Sequence, residues 1–133
     1  MTIFADASAL IAIIAGETGA DDLADRLEAD PRRLCSSLSV WETVVGLCRS
    51  YMFSIPSARE HVGRFLTIGS LQFVSIGEAE FHVAADAYAH FGKARHPAAL
   101  NMGDCFAYAC AKTNKAKLLF KGSDFSKTDI DIA

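Results

Sequence analysis

Four acids stand where the chain is expected to change direction. Asp6 follows a short apolar run in Phe4-Ala5-Asp6-Ala7-Ser8. Glu42 lies in Ser39-Val40-Trp41-Glu42, Asp104 in Asn101-Met102-Gly103-Asp104, and Asp124 in Gly122-Ser123-Asp124-Phe125. Asp6 and Asp104 adjoin strongly apolar segments that should be buried. A buried carboxylate without a partner is costly, so such groups are usually paired or bound to a metal. If the four converge, their repulsion at neutral pH is relieved only by a cation or by raised pKa values. A set of carboxylate oxygens favours Mg²⁺ or Mn²⁺ over zinc, which prefers nitrogen and sulfur. Each acid also has a plainer explanation. Asp6 would cap the helix after it, Ser39-x-x-Glu42 has the form of a capping box, and Asn101-x-x-Asp104 nearly has it. Asp124 sits among glycine and serine, as turn aspartates do.

The elements that must position these acids follow from the apolar pattern. Thr2 to Ala5 reads as a buried strand. Helices are expected over residues 8–15 and 20–29, broken between Gly16 and Gly19. A weak strand at 34–37 precedes a helix over 40–53, with Val40, Val44, Leu47 and Tyr51 at helical spacing. Pro56 closes that unit. The next helix covers 58–68, with Ser57 and Glu60 as a capping box. A strand at 73–76 leads to a helix over 78–91, with Phe81, Ala84, Ala85 and Tyr88 on one face. An alanine-rich helix over 103–114 and a strand at 118–120 follow, and residues 129–132 offer a last short strand. Strands alternating with helices imply an α/β fold whose mostly parallel sheet is covered on both faces. Ligands of such sheets bind beyond the carboxyl ends of the strands, where Asp6 and Asp124 fall.

The 133 residues suit a single domain spanning 1–133. With 51% apolar residues the chain can bury one proper core, which excludes a disordered protein. The longest apolar run, Ala9 to Ala15, is too short to span a bilayer. No basic segment precedes the N-terminal apolar stretch and Asp6 interrupts it, so no secretory signal is expected. Cys35, Cys48, Cys105 and Cys110 form no C-x-x-C pair and have apolar neighbours. They read as buried free thiols in a reducing cytoplasm. The net charge of −3 argues against a nucleic-acid partner on its face, but its distribution matters more. Glu17, Asp21, Asp22, Asp25, Glu28 and Asp30 crowd the stretch 17–30. Lys93, Arg95, Lys112, Lys115, Lys117, Lys121 and Lys127 outnumber Asp104 and Asp124 over 93–127. A basic rim around an acidic pocket suits a polyphosphate substrate held through cations, although a solvated lysine-rich face has the same composition.

These motifs together resemble the PIN-domain family. The resemblance rests on Asp6-Ala7-Ser8-Ala9-Leu10, on Ser39-x-x-Glu42, on Gly103-Asp104-Cys105-Phe106-Ala107-Tyr108-Ala109, and on Leu118-Leu119-Phe120-Lys121-Gly122-Ser123-Asp124-Phe125. They occur in the family's order, cover essentially the whole chain, and are most similar to the VapC-type toxins. The resemblance implies a three-layer α/β/α domain. It implies that Asp6 and Asp104 are metal ligands, that Glu42 holds the metal or positions water, and that Asp124 completes the set. Ser8, Asn101 and Ser123 beside them would orient ligands or contact phosphate. The implied activity is that of an endoribonuclease using Mg²⁺ or Mn²⁺ to activate water. Its substrate would be a structured RNA such as a transfer RNA. The implied partners are a VapB-type antitoxin, which would carry the link to operator DNA, and a second copy in a homodimer.

Three other readings compete. A histidine ribonuclease would draw its acid and base from His61, His82, His90 and His96, but all four lie in or beside helices and outside any motif. A phosphoacceptor receiver would need an aspartate ending a mid-chain strand, which the 40–70 region lacks, although Lys121 matches its late lysine. A catalytically silent PIN domain would bind RNA or protein and cut nothing. Trp41 and Phe106 flank site acids and would either stack on bases or pack in the core.

Overall fold

In the computed structural model, which describes residues 1–133, four parallel strands form one sheet in the order β3-β2-β1-β4. These are β1 (Thr2–Ala5), β2 (Arg32–Ser36), β3 (Leu71–Val74) and β4 (Lys117–Leu119). β1 is central, with Phe4 in register with Leu34 of β2 and Leu118 of β4. Because side chains alternate across a strand, each strand feeds two cores. Phe4, Leu34 and Leu118 point into one. Ile3, Ala5, Cys35 and Leu119 point into the other. Helices α5 (Glu78–Phe91) and α6 (Met102–Thr113) cover the first face. Helices α1 (Ala7–Ala15), α2 (Ala20–Glu28), α3 (Ser37–Tyr51) and α4 (Ile55–Ile68) cover the second. The result is the expected three-layer α/β/α arrangement. No helix is long and apolar enough to cross a membrane.

Several boundaries differ from the sequence pattern for local reasons. α3 begins at Ser37 because Ser36 caps it and forms a reciprocal capping box with Ser39. The expected box between Ser39 and Glu42 therefore does not form, and Glu42 is left without a capping role. α3 stops at Tyr51, where Met52 takes a left-handed conformation (φ 59°). Pro56 does not close that unit. It sits in the first turn of α4, where its missing N–H costs nothing. The cap there is Ser54, which accepts from Ser57 N at 3.2 Å, and Glu60 pairs with Arg64 at 2.9 Å. β3 starts two residues earlier than its apolar run suggests. The C-terminal strand reduces to a single bridge between Leu118 and Ile132. On α5 the buried face is Ala84 and Ala87, while Phe81 and Tyr88 are 55% and 45% exposed. α5 packs on the alanine-rich α6 through the small side chains of Ala84 and Ala87, with Phe91 against Tyr108 at its C-terminal end.

Candidate functional site

Asp6 ends β1 and caps α1 at once. Its Oδ2 accepts from Ser8 N at 3.0 Å and from Ser8 Oγ at 2.6 Å. Ser8 Oγ in turn accepts from Lys121 N at 3.0 Å, which ties β1 to the loop after β4. Burial raises the pKa of Asp6 against the lowering effect of the Ser8 hydrogen bonds, and the charge on Asp124 raises it further. Asp104 stands at the third position of α6 in a capping box with Asn101. Asn101 Oδ1 accepts from Asp104 N at 2.9 Å, and Asp104 Oδ2 accepts from Asn101 N at 3.1 Å. Burial lifts Asp104 to about 6, opposed by the Asn101 N–H and assisted by Asp6 and Asp124. Glu42, half-buried in the second turn of α3, is pushed up to about 7 by burial, then by Asp6 and Asp104. Its carboxylate lies against the first turn of α6 at Gly103. Asp124 is exposed and leads a 3-10 turn (Phe125–Lys127) without a side-chain cap bond.

At the carboxyl edge of the sheet, charge coupling thus links Asp6 with Glu42, Asp104 and Asp124, and Asp104 with Glu42 and Asp124. Yet no set of histidine, cysteine, aspartate or glutamate side chains is drawn together at metal-binding spacing. The two observations agree once range is considered. Coulombic repulsion acts over several ångströms, whereas Mg²⁺ ligation needs oxygens near 2.0–2.1 Å. Asp6 and Asp104 each accept hydrogen bonds from local donors, Ser8 and Asn101. The donor set is all oxygen, partly desolvated and mutually repelling, and this fits a hard divalent cation.

The neighbouring residues divide. Ser8 and Asn101 orient Asp6 and Asp104 directly. Ser123 does not reach an acid: its carbonyl accepts from Ser126 Oγ at 2.5 Å. The histidines lie elsewhere. His61 and His90 bond their own helices through Nδ1, His96 Nδ1 accepts from Ala98 N, and His82 lies 3.6 Å from Glu78. Trp41 is 61% exposed and so is no core residue, whereas Phe106 is half-buried against the α5–α6 core. The expected basic rim is thinner than its composition. Lys112 pairs with Asp129, Lys117 with Asp30 and Lys121 with Glu17.

Two features escaped sequence reasoning. One is Gly103, whose significance depends on where Glu42 lies. The other is a latch at the pocket rim, where Glu17 Oε1 accepts from Lys121 Nζ at 2.7 Å and Glu17 Oε2 accepts from Tyr51 OH. Lys121 first and Tyr51 second hold Glu17 below the ordinary carboxylate range. The acidic stretch 17–30 hid this, since Glu17 looked like one more solvated charge. The largest groove, about 840 Å³, is not at the acids but beside them. It runs between α3, α4 and β3, with Val40, Trp41, Val44, Ile55, Val62 and Phe73 in its walls.

Comparison with known proteins bears on the family and the fold. Residues 3–131 match the family model described as the PIN domain. A protein of Rhizobium meliloti (strain 1021) described as a VapC ribonuclease is 41% identical over 139 residues, covering 96% of this chain and 98% of that protein. Ribonuclease VapC30 of Mycobacterium tuberculosis (strain H37Rv) is 39% identical over 125 residues, covering 94% and 93%. Among solved structures, Mycobacterium tuberculosis VapC20, described as a Sarcin-Ricin loop cleaving toxin, superposes with a TM-score of 0.75 at 18% identity, over 99% of this chain and 98% of that one. A toxin–antitoxin complex from Klebsiella pneumoniae gives a TM-score of 0.69 at 18% identity, over 100% and 97%. The chain belongs to the PIN-domain family, and its sequence relatives place it among the VapC proteins.

Proposed function

We propose that this protein is a metal-dependent endoribonuclease and the toxin of a VapBC-type toxin–antitoxin pair. The observation that carries the reading is a set of charge-coupled acids, in which burial and neighbouring carboxylates raise Asp6, Glu42 and Asp104, with Asp124 among those neighbours. Asp6 and Asp104 would hold Mg²⁺ or Mn²⁺, with Glu42 and Asp124 completing the oxygen set. The bound ion would lower the pKa of water and offset charge on the scissile phosphate. The protein's own contribution is positional. Ser8 holds Asp6 against β1 and the β4 loop, and Asn101 holds Asp104 at the start of α6. Glu42, whose carboxylate lies against the start of α6, would hold the ion or position the attacking water.

The names of the relatives support a ribonuclease, and a structured RNA such as a transfer RNA is the substrate class we infer. A VapB-type antitoxin is the partner we infer, with operator DNA reached only through it. The apolar groove beside Glu42 supports this, since an amphipathic segment laid along α3 and α4 would cover Trp41 and overhang the pocket. A homodimer and a cytoplasmic setting complete the reading, the latter in keeping with four free cysteines. The test incubates purified protein with total cellular RNA in Mg²⁺ or Mn²⁺, then in excess chelator, beside the Asp6→Asn variant. Cleavage that needs both the metal and Asp6 is expected. Cleavage that survives the chelator would sink the metal mechanism. No cleavage by a protein that binds RNA would leave a silent binding module.

A further inference from the structure

Gly103 is buried in the first turn of α6, and nothing in its backbone demands a glycine. Its φ is not among the positive values in this chain. Alanine is the better helix former at such a position, so a packing reason must favour the smaller residue. That reason is Glu42. A Cβ on Gly103 would overlap Glu42 Oε2 and stand 2.7 Å from its Cδ and 2.8 Å from its Oε1. Of the nine glycines, Gly103 alone would overlap a charged group. Gly46 would meet the end of Ile11, and Gly92 would meet Tyr88. The missing side chain is thus the seat of a carboxylate, one residue from Asp104 and at the positive end of the helix dipole.

We propose that Gly103 is a positioning residue that sets the place of Glu42 among the site acids. Any side chain at 103 displaces the Glu42 carboxylate from Asp6 and Asp104 without touching an acid's own chemistry. The inference rests on the metal-dependent reading above, because the consequence of the seat is the strength with which the pocket holds a divalent ion.

The test compares Mn²⁺ binding by calorimetry and thermal melting in four proteins: wild type, Gly103→Ala, Glu42→Gln and the double variant. Gly103→Ala should weaken Mn²⁺ binding tenfold or more while its metal-free melting temperature is kept or raised. In the Glu42→Gln background the same change should add less than twofold. Gly103→Ala binding Mn²⁺ within twofold of wild type would overturn the proposal, as would an equal loss in both backgrounds. If Gly103→Ala does not fold, Glu42→Ala/Gly103→Ala decides: recovery of the fold in it supports the contact, and failure to recover overturns it. A wild-type protein that neither binds Mn²⁺ nor cleaves RNA removes the metal reading itself, and this inference with it. That outcome is distinct from a failure confined to the Gly103 variants.

Discussion

Asp6 carries two duties that pull in opposite directions. As the cap of α1 it accepts two hydrogen bonds from Ser8, which favour its charge, while burial and Asp124 oppose it. Asparagine caps nearly as well and brings no charge. Asp6→Asn should therefore abolish cleavage yet melt at or above the wild-type temperature when metal is absent. A clear drop in that temperature would mean the charge is stabilising and the repulsion argument is wrong. Glu42 and Asp104 give the matching pH dependence. Their folded pKa values, about 7 and about 6, lie above their ordinary values of 4.5 and 3.8. The folded protein thus holds these protons more tightly than the unfolded chain, and stability falls as pH rises across roughly pH 4 to 7. After discounting for partial exposure, the loss is roughly 2–3 kcal/mol. Melting curves of the metal-free protein from pH 4.5 to 8 should show it, and Mg²⁺ should flatten the slope. Asp6 and Asp104 were legible in the sequence because each is an acid set in apolar surroundings. Glu42 was legible only as an acid at a helix start. Its Ser39 partner was taken by Ser36, a choice made by local backbone geometry.

At the scale of elements, the alternation of apolar runs and helical periods was enough to read the sheet, its parallel sense and its two covering layers. Boundaries were less legible where serines compete as caps, as Ser36 with Ser39 and Ser54 with Ser57 do. The faces of α5 were misread because Phe81 and Tyr88 carry the larger apolar signal, while the close approach to α6 selects Ala84 and Ala87. No periodicity announces the Glu17–Lys121–Tyr51 latch, since its members come from three separate segments. The latch ties Lys121, three residues before Asp124, to Glu17. Its ion pair is partly exposed, so Glu17→Gln should cost under about 1 kcal/mol in stability. Cleavage should fall more than the melting temperature explains, by roughly 3–10-fold, and Tyr51→Phe should follow in the same direction. Activity that drops only in step with unfolding would reduce the latch to a surface contact.

For the molecule as a whole, the charge pattern invites a specific expectation. Of the seven cations between 93 and 127, ion pairs occupy Lys112, Lys117 and Lys121. Lys93, Arg95, Lys115 and Lys127 are left to meet phosphates, with Arg95 resting over Tyr88. Four phosphate contacts correspond to a slope of log affinity against log salt no steeper than about −3 to −4. Titrating an uncleaved RNA onto the Asp6→Asn variant between low and physiological salt measures it. A much steeper slope would show that the pairs open to release their lysines, that Arg32, Arg49 or Arg59 also meets phosphate, or that a second copy adds its charge.

The bond from Lys121 N to Ser8 Oγ joins residues 113 apart, and β4 joins the sheet through β1. The loop after β4 that carries Asp124 thus docks onto the end of β1 across that separation. A ribosome producing this chain carries only part of the pocket until the segment beyond β4 has emerged. On the nuclease reading proposed above, the nascent chain lacks the complete acid set, and cutting begins only with the finished fold.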